Sequence, residues 1–307
     1  MQRSGPTETR ASRRSSLPEV IPSDIKLGKV LFGDDFDAHQ LAQWVAQERE
    51  AFFTNDAGNS DVDPWYAYMR YVNHRLGFAR IANSLGTRGS ILVIGPGSGV
   101  EMTGFAARNP AWSMHFIEAS PSFRARLRET WPESVVIEPS VLGDVALHND
   151  SEDVVCAFSV LHHVANVTKL VTEAFRVMRK GGYFLVREPC SSMGDWRYPR
   201  AATPNERGIS KELLVRIAMT AGFRIAYAPI PVLFEPMNRA IKQTIGYSLI
   251  PFGILYAIDR VVSRIAALND HYWRDTWYKK FGPSSYFYVF QKPAAPGQLC
   301  KAPAFRS

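Results

Sequence analysis

The chain is poor in cysteine: among 307 residues there are three, Cys156, Cys190 and Cys300, with no C-x-x-C spacing. An odd, dispersed count argues against a disulfide framework and fits a reducing, cytoplasmic compartment. Long apolar runs are also missing. The longest uncharged stretch, "QTIGYSLIPFGILYAI" from Gln243 to Ile258, is shorter than the roughly 20 residues a membrane span needs, and Pro251 interrupts it. The first residues, "MQRSGPTETRASRRSSLPEV", lack the apolar core of a secretory signal and carry Glu8 and Glu19, so residues 1–30 read as a disordered tail. No internal repeat occurs. The net charge is +7 and the pI about 9.3, but outside the tail the basic residues are scattered among acids. No nucleic-acid partner is therefore expected.

What is present is a core-forming composition, 46% hydrophobic, arranged in alternating periods. Residues 38–55 and 62–85 read as helices, with Asp37 and Asp61 at their N-caps. They make a helical cap over residues 31–86. From 87 to 230, short apolar strands alternate with helices whose apolar residues recur at three- and four-residue spacing: 89–95, "SMHFIEAS", "SVVIE", "EDVVCAFS", "YFLVRE" and "FRIAYAPI" are the strands. That alternation predicts an α/β, doubly wound, mostly parallel sheet with helices on both faces. Residues 231–283 interrupt it as a helical insertion, and "SSYFYVFQK" at 284–292 returns as a seventh strand before a tail at 293–307. The stripe from Ile254 to Ile265 in the insertion is expected to cover the sheet.

The stretch "ILVIGPGSGVE", residues 91–101, carries the first chemical signal. A strand that breaks into glycines and opens a helix lies where doubly wound sheets bind ligands. The spacing is G-x-G-x-G, and Val100 stands where the dinucleotide fingerprint needs its third glycine. Glu118 ends the second strand, placed to accept hydrogen bonds from two ribose hydroxyls. A Tyr-x-x-x-Lys pair for hydride chemistry occurs only at Tyr288 and Lys292, inside a strand. A dinucleotide and S-adenosylmethionine (SAM) both remain open on these residues.

Four motifs in order, "VIGPGSG", "FIEAS", "DVVCAFSVLHHV" and "RVMRKGGYFLV", resemble those of the class I SAM-dependent methyltransferases. The likeness covers roughly residues 85–230 and 284–292. It implies a seven-stranded Rossmann-like sheet with an antiparallel last strand, and SAM as cofactor. It implies a SAM site of Gly95, Pro96, Gly97, Ser98 and Gly99, with Glu118 and Ala119 at the ribose and Phe158 and Ser159 after the fourth strand. The residue near the adenine amine falls at Val141, with Asp144 the alternative. One position departs: members often carry an acid two residues before the first glycine, where this chain has Val93. The Asn-Pro-Pro-Tyr motif of base-flipping amino-methyltransferases is missing.

The resemblance implies a methyltransferase acting on a small-molecule acceptor. His162 or His163 is a candidate general base, although "LHH" also shapes pockets in such enzymes. The long segment Arg187–Ile209 offers Glu188 and Asp195 as bases, Trp196 for stacking, and Arg187, Arg197 and Arg207 for an anionic group, or else an internal network ordering the loop. Tyr272 and Arg274 add aromatic and cationic groups, or pack the insertion. Tyr66, Tyr68 or Arg70 is placed to close over the SAM carboxylate. These residues suggest an oxygen of a sugar or sugar-phosphate as acceptor. The alternatives are a lipid or lipid-linked acceptor, with Arg260 and Arg264 at the headgroups of a membrane surface, or a non-catalytic SAM-binding protein. No metal is expected, and the oligomeric state stays open.

Overall fold

The computed structural model describes residues 20–54, 64–194 and 205–294. Seven strands form one sheet: β1 (Gly89–Ile94), β2 (Trp112–Ile117), β3 (Val135–Ile137), β4 (Glu152–Phe158), β5 (Met178–Pro189), β6 (Arg224–Phe234) and β7 (Pro283–Gln291), in the order β3-β2-β1-β4-β5-β7-β6. The pairs β1–β2, β1–β4, β2–β3 and β4–β5 are parallel. β7 runs antiparallel to both β5 and β6. The central strands are buried along nearly their whole length (Ile91 to Ile94, Val154 to Phe158), as strands covered on both faces must be.

Helices cover each face. On one side Leu170, Val171 and Ala174 of α5 (Val167–Val177) and Leu214 and Ala218 of α6 (Lys211–Thr220) pack on Phe184 and Phe290. On the other, Tyr68, Met69 and Val72 of α2 (Pro64–Asn73), with Phe105 of α3 (Thr103–Arg108), cover Ile91, Val154 and Phe287. The cap begins with α1 (Ala38–Thr54), entered through a reciprocal capping box: Gln40 N–H donates to Asp37 Oδ1 at 2.8 Å, and Asp37 N–H to Gln40 Oε1 at 3.0 Å. Asp37 is thus the expected cap; Asp61 lies outside the described residues. α4 (Pro121–Thr130) carries its proline in the first turn and Ser120 at its N-cap.

Three expectations change. The helix expected over 62–85 runs without a gap from Pro64 to Ser84, but it widens into a π-turn at His74–Phe78 and tightens into a 3-10 turn at Ala82–Ser84. The stretch expected as a tail docks from Ile21 onward: Ile21 is buried, Ser210 donates to the Gly28 carbonyl at 2.6 Å, and Asp34 accepts the Thr168 N–H at 2.8 Å. β6 runs on to Phe234, so the insertion starts at α7 (Glu235–Ala240) and continues into α8 (Phe252–Ala266). α8 does not cover the sheet with its isoleucine stripe. Leu255, Asp259, Ser263 and Ala266 face inward, and Ile254, Ile258, Val261 and Ile265 are exposed.

Candidate functional site

Strand order reverses between β1 and β4, which places the loops after those two strands side by side. A cavity of about 720 Å³ opens there, within the usual size of a small-molecule site. Its floor is the glycine loop. Gly95 and Gly97 both take left-handed backbone, at φ +61° and +56°, but for different reasons. A Cβ on Gly95 would overlap the Val160 side chain, 2.8 Å from its Cβ, whereas one on Gly97 would meet nothing within 4 Å. Gly95 is needed for close approach of two loops, and Gly97 for the turn alone.

Glu118 closes one end. Its Oε2 accepts the Gly97 N–H at 2.9 Å and its Oε1 the Ser120 N–H at 2.8 Å. Burial pushes its carboxyl up, and these backbone donors pull the other way. Gly95, Pro96, Gly97, Ser98, Glu118, Ala119, Val141, Phe158 and Ser159 all line the cavity. Gly99 backs instead onto Trp131 and Leu127. Of the two positions considered for the adenine end, Val141 lines the cavity. Asp144 points to solvent and pairs with Lys169 at 2.8 Å.

Alternation along β5 sends its last two polar side chains to opposite faces. Arg187 lines the cavity. Its guanidinium donates to Asn73 Oδ1 at 2.6 Å, to both Glu101 oxygens at 3.2 Å and to Ser159 Oγ at 3.2 Å. Asn73 also donates to Glu101. A buried pair with this many hydrogen bonds is costly to break. Glu101, which also lines the cavity, thereby ties the end of the glycine stretch to β5 and α2. It stands within the glycine stretch itself, so the signal was in the sequence.

Glu188, fully buried, faces the other way. Its Oε1 accepts the N–H groups of Val160 and Leu161 at 2.7 Å, and its Oε2 accepts from His162 Nδ1 at 2.8 Å. It holds the loop after β4 and is not exposed to a ligand. His162 Nε2 lies 3.6 Å from Glu206. Burial opposes its charge, but Glu188 and Glu206 outweigh that and push its pKa up to about 9. His163, its ring centroid 4.0 Å away and tilted by 42°, moves down instead, through burial and the neighbouring charge of His162. His163 lines the cavity, as do Glu48 and Glu206, whereas His162 lies behind it. Glu48 accepts from His163 Nδ1 at 3.0 Å, while its buried Oε1 has no hydrogen-bond partner among the described residues. Trp44 donates to the His163 carbonyl at 2.7 Å. No local pattern ties α1 to a histidine more than a hundred residues away, so Glu48 and Trp44 were not foreseen.

Other expected acceptor residues are engaged elsewhere. Arg207, fully buried, donates to the carbonyls of Phe32, His162, Val164 and Ala165 and lies over Trp44. It clamps the cap to the loop and has no donor directed at a ligand. Tyr272 donates to the Gly208 carbonyl at 3.0 Å, and Arg274 to that of Pro283 at 2.6 Å. Both pack the insertion on the sheet. Tyr68 donates to Asp259 and Arg70 to Thr103; of the three α2 residues, Tyr66 lines the cavity. Asp195, Trp196 and Arg197 lie outside the described residues. His162, His163 and Glu206 bring donor atoms within 4.8 Å of one another, so a cation is chemically admissible where none was expected.

Residues 92–186 match the family model of a methyltransferase domain. A protein of Mycolicibacterium smegmatis, named a probable S-adenosylmethionine-dependent methyltransferase, is 30% identical over 160 residues, covering 50% of this chain and 59% of that protein. An uncharacterized transposon protein of Streptomyces fradiae is 28% identical over 177 residues, 51% of this chain and 50% of that one. The chain thus spans between a half and three-fifths of the length of these curated relatives. A solved structure from Galdieria sulphuraria, a candidate sarcosine dimethylglycine methyltransferase, aligns with a TM-score of 0.52 at 14% identity, over 73% of this chain and 86% of that one. At that identity the likeness is one of fold.

Proposed function

We propose that the protein is a class I SAM-dependent methyltransferase, as the methyltransferase-domain match over residues 92–186 supports, and that it methylates a hydroxyl of a small polar acceptor, with His163 as general base. The observation that carries this reading is the split histidine pair. His162, held cationic by two carboxylates, keeps its neighbour neutral, and the neutral His163 faces the cavity with its Nδ1–H fixed on Glu48. Neighbouring titratable groups pushed apart in this way mark acid–base assignments.

The cavity fits SAM: a glycine turn open at Gly97, a buried acid at the end of β2 and a hydrophobic wall at Val141 are the parts such a molecule needs. In this reading Gly95–Ser98 support its amino-acid end, Glu118 the ribose, and Val141 the adenine side. Bound SAM supplies an activated methyl group. His163 Nε2 then takes the acceptor proton, while Glu48 fixes the ring and stabilises the imidazolium. The orphaned Glu48 oxygen and Glu206 accept hydrogen bonds from further hydroxyls.

This refines the acceptor. Arg187 and Arg207 are consumed by the protein's own groups, so the phosphate part of a sugar-phosphate has lost two of the three arginines proposed for it. Glu48 and Glu206 favour a neutral, hydroxyl-rich acceptor. The test is S-adenosylhomocysteine release with a panel of neutral sugars, sugar phosphates and amines, with and without a chelator. Turnover with neutral sugars that drops about 10²–10⁴-fold in His163→Asn supports the assignment. Turnover retained in that variant, or lost to the chelator, overturns it.

A further inference from the structure

The solvent-facing side of α8 is apolar and its core-facing side is partly polar, the reverse of the usual surface helix. Asp259 is buried because it accepts the N–H groups of Leu233 (2.9 Å) and Phe234 (3.3 Å), the Ser263 hydroxyl (3.0 Å) and the Tyr68 hydroxyl (3.3 Å). These bonds fix the rotation of the helix. They leave Ile254, Ile258, Val261, Ile265 and Leu268 exposed by 57, 46, 57, 64 and 89%. The 4-3-4-3 spacing puts all five on one stripe about 20 Å long.

Two further features continue this surface. Asn269 donates to the carbonyls of Tyr278 and Phe281, which ties the turn at 277–281 to the end of α8. That turn exposes Trp277, Tyr278 and Phe281. Of the charges on α8 and the turn, Arg264 and Lys280 are exposed, Arg260 is anchored on the Pro231 carbonyl at 2.6 Å, and the exposed Asp275 that precedes the turn is paired with Lys279 at 2.7 Å. The exposed positions of α8 are Gly253, Ile254, Ala257, Ile258, Val261, Arg264 and Ile265, and none is acidic.

From these observations we infer that α8 and the turn at 277–281 form a docking surface for an anionic lipid bilayer, the helix lying in the interface plane. An apolar stripe with a cationic edge and an aromatic cluster is the chemistry that headgroups and upper acyl chains accept. A second copy fits less well, since a helix pair would bring Arg264 beside the same face with no acid to meet it. No helix of the described residues is long and apolar enough to cross a membrane, so the attachment is peripheral. The inference is independent of the acceptor and of His163.

Vesicle flotation of the full chain tests it, with phosphatidylcholine alone and with phosphatidylcholine and phosphatidylglycerol mixed. The wild type is expected to float with the mixed vesicles and to be released by about 0.5 M salt. The Ile258→Glu/Ile265→Glu variant should lose at least about tenfold in partitioning, with unchanged melting temperature and SAM binding. Failure of the wild type to float with anionic vesicles overturns the inference, as does a variant that floats equally well. A wild-type dimer that the variant converts to monomer also overturns it, by giving the face to a second copy.

Discussion

Gly95→Ala probes the contact on which the cavity floor rests. Two costs add. An alanine at φ +61° sits in left-handed backbone, at about 1–2 kcal/mol. Its Cβ also overlaps Val160, with the Val160 Cβ only 2.8 Å away, and overpacking of that kind costs about 1–3 kcal/mol. The sum, about 2–5 kcal/mol, corresponds to a fall in melting temperature of roughly 5–15 °C for a chain of this size. Gly97→Ala is the control. It shares the positive φ, but nothing lies within 4 Å of its Cβ, so only the first cost applies and the fall is a few degrees. Val160→Ala in the Gly95→Ala background should restore part of the difference, and a double-mutant cycle isolates it. Differential scanning calorimetry of the wild type, the Gly95→Ala, Gly97→Ala and Val160→Ala variants and the double variant is the assay. Equal melting temperatures for the Gly95 and Gly97 variants would refute the argument that Val160 sets the path of this loop.

Three other outcomes follow from the charges. The kcat/KM profile should stay flat through neutrality. It should fall on the acid side below about pH 6.5, where His163, its pKa lowered, takes up a proton, and show no loss from His162 deprotonation near pH 9, since His163 is neutral there in either case; Glu48→Gln should move the acid limb further down, since Glu48 raises the His163 pKa. Arg207→Met removes the side-chain donor from four carbonyls, of which those of His162 and Ala165 keep a backbone donor, and should cost about 2–4 kcal/mol in a urea melt; a loss under about 1 kcal/mol would contradict the clamp. Glu173, held down to about 2 by Arg176 against the opposing effect of burial, contributes stability above its ordinary range near pH 4.5 that is lost as pH falls toward 2, so Glu173→Gln should flatten the acid limb of a stability–pH curve.

Periodicity was enough to read the sheet. Continuous apolar runs gave the buried strands, and the detour before "SSYFYVFQK" gave the late strand that inserts between β5 and β6. The cavity floor was legible for a local reason: its glycines and Glu118 follow directly on β1 and β2, and Val141 lies four residues beyond β3. The acceptor side was not, because it is assembled from distance. Glu48 reaches His163 across 115 positions, and Arg207 finds its carbonyls on two separate segments. Residue type alone marked Arg207 as a ligand for an anion, when burial makes it a clamp. α8 was misread for a related reason. Its apolar stripe predicted an inward face, but the N–H groups ending β6 required a carboxylate, and Asp259 turned the helix around.

The most direct test of the central claim is isothermal titration of the purified full chain with SAM. The account predicts one binding site per chain and, in Glu118→Ala, an affinity weaker by about tenfold or more with the fold intact by circular dichroism. A folded wild type that shows no binding of SAM would contradict it.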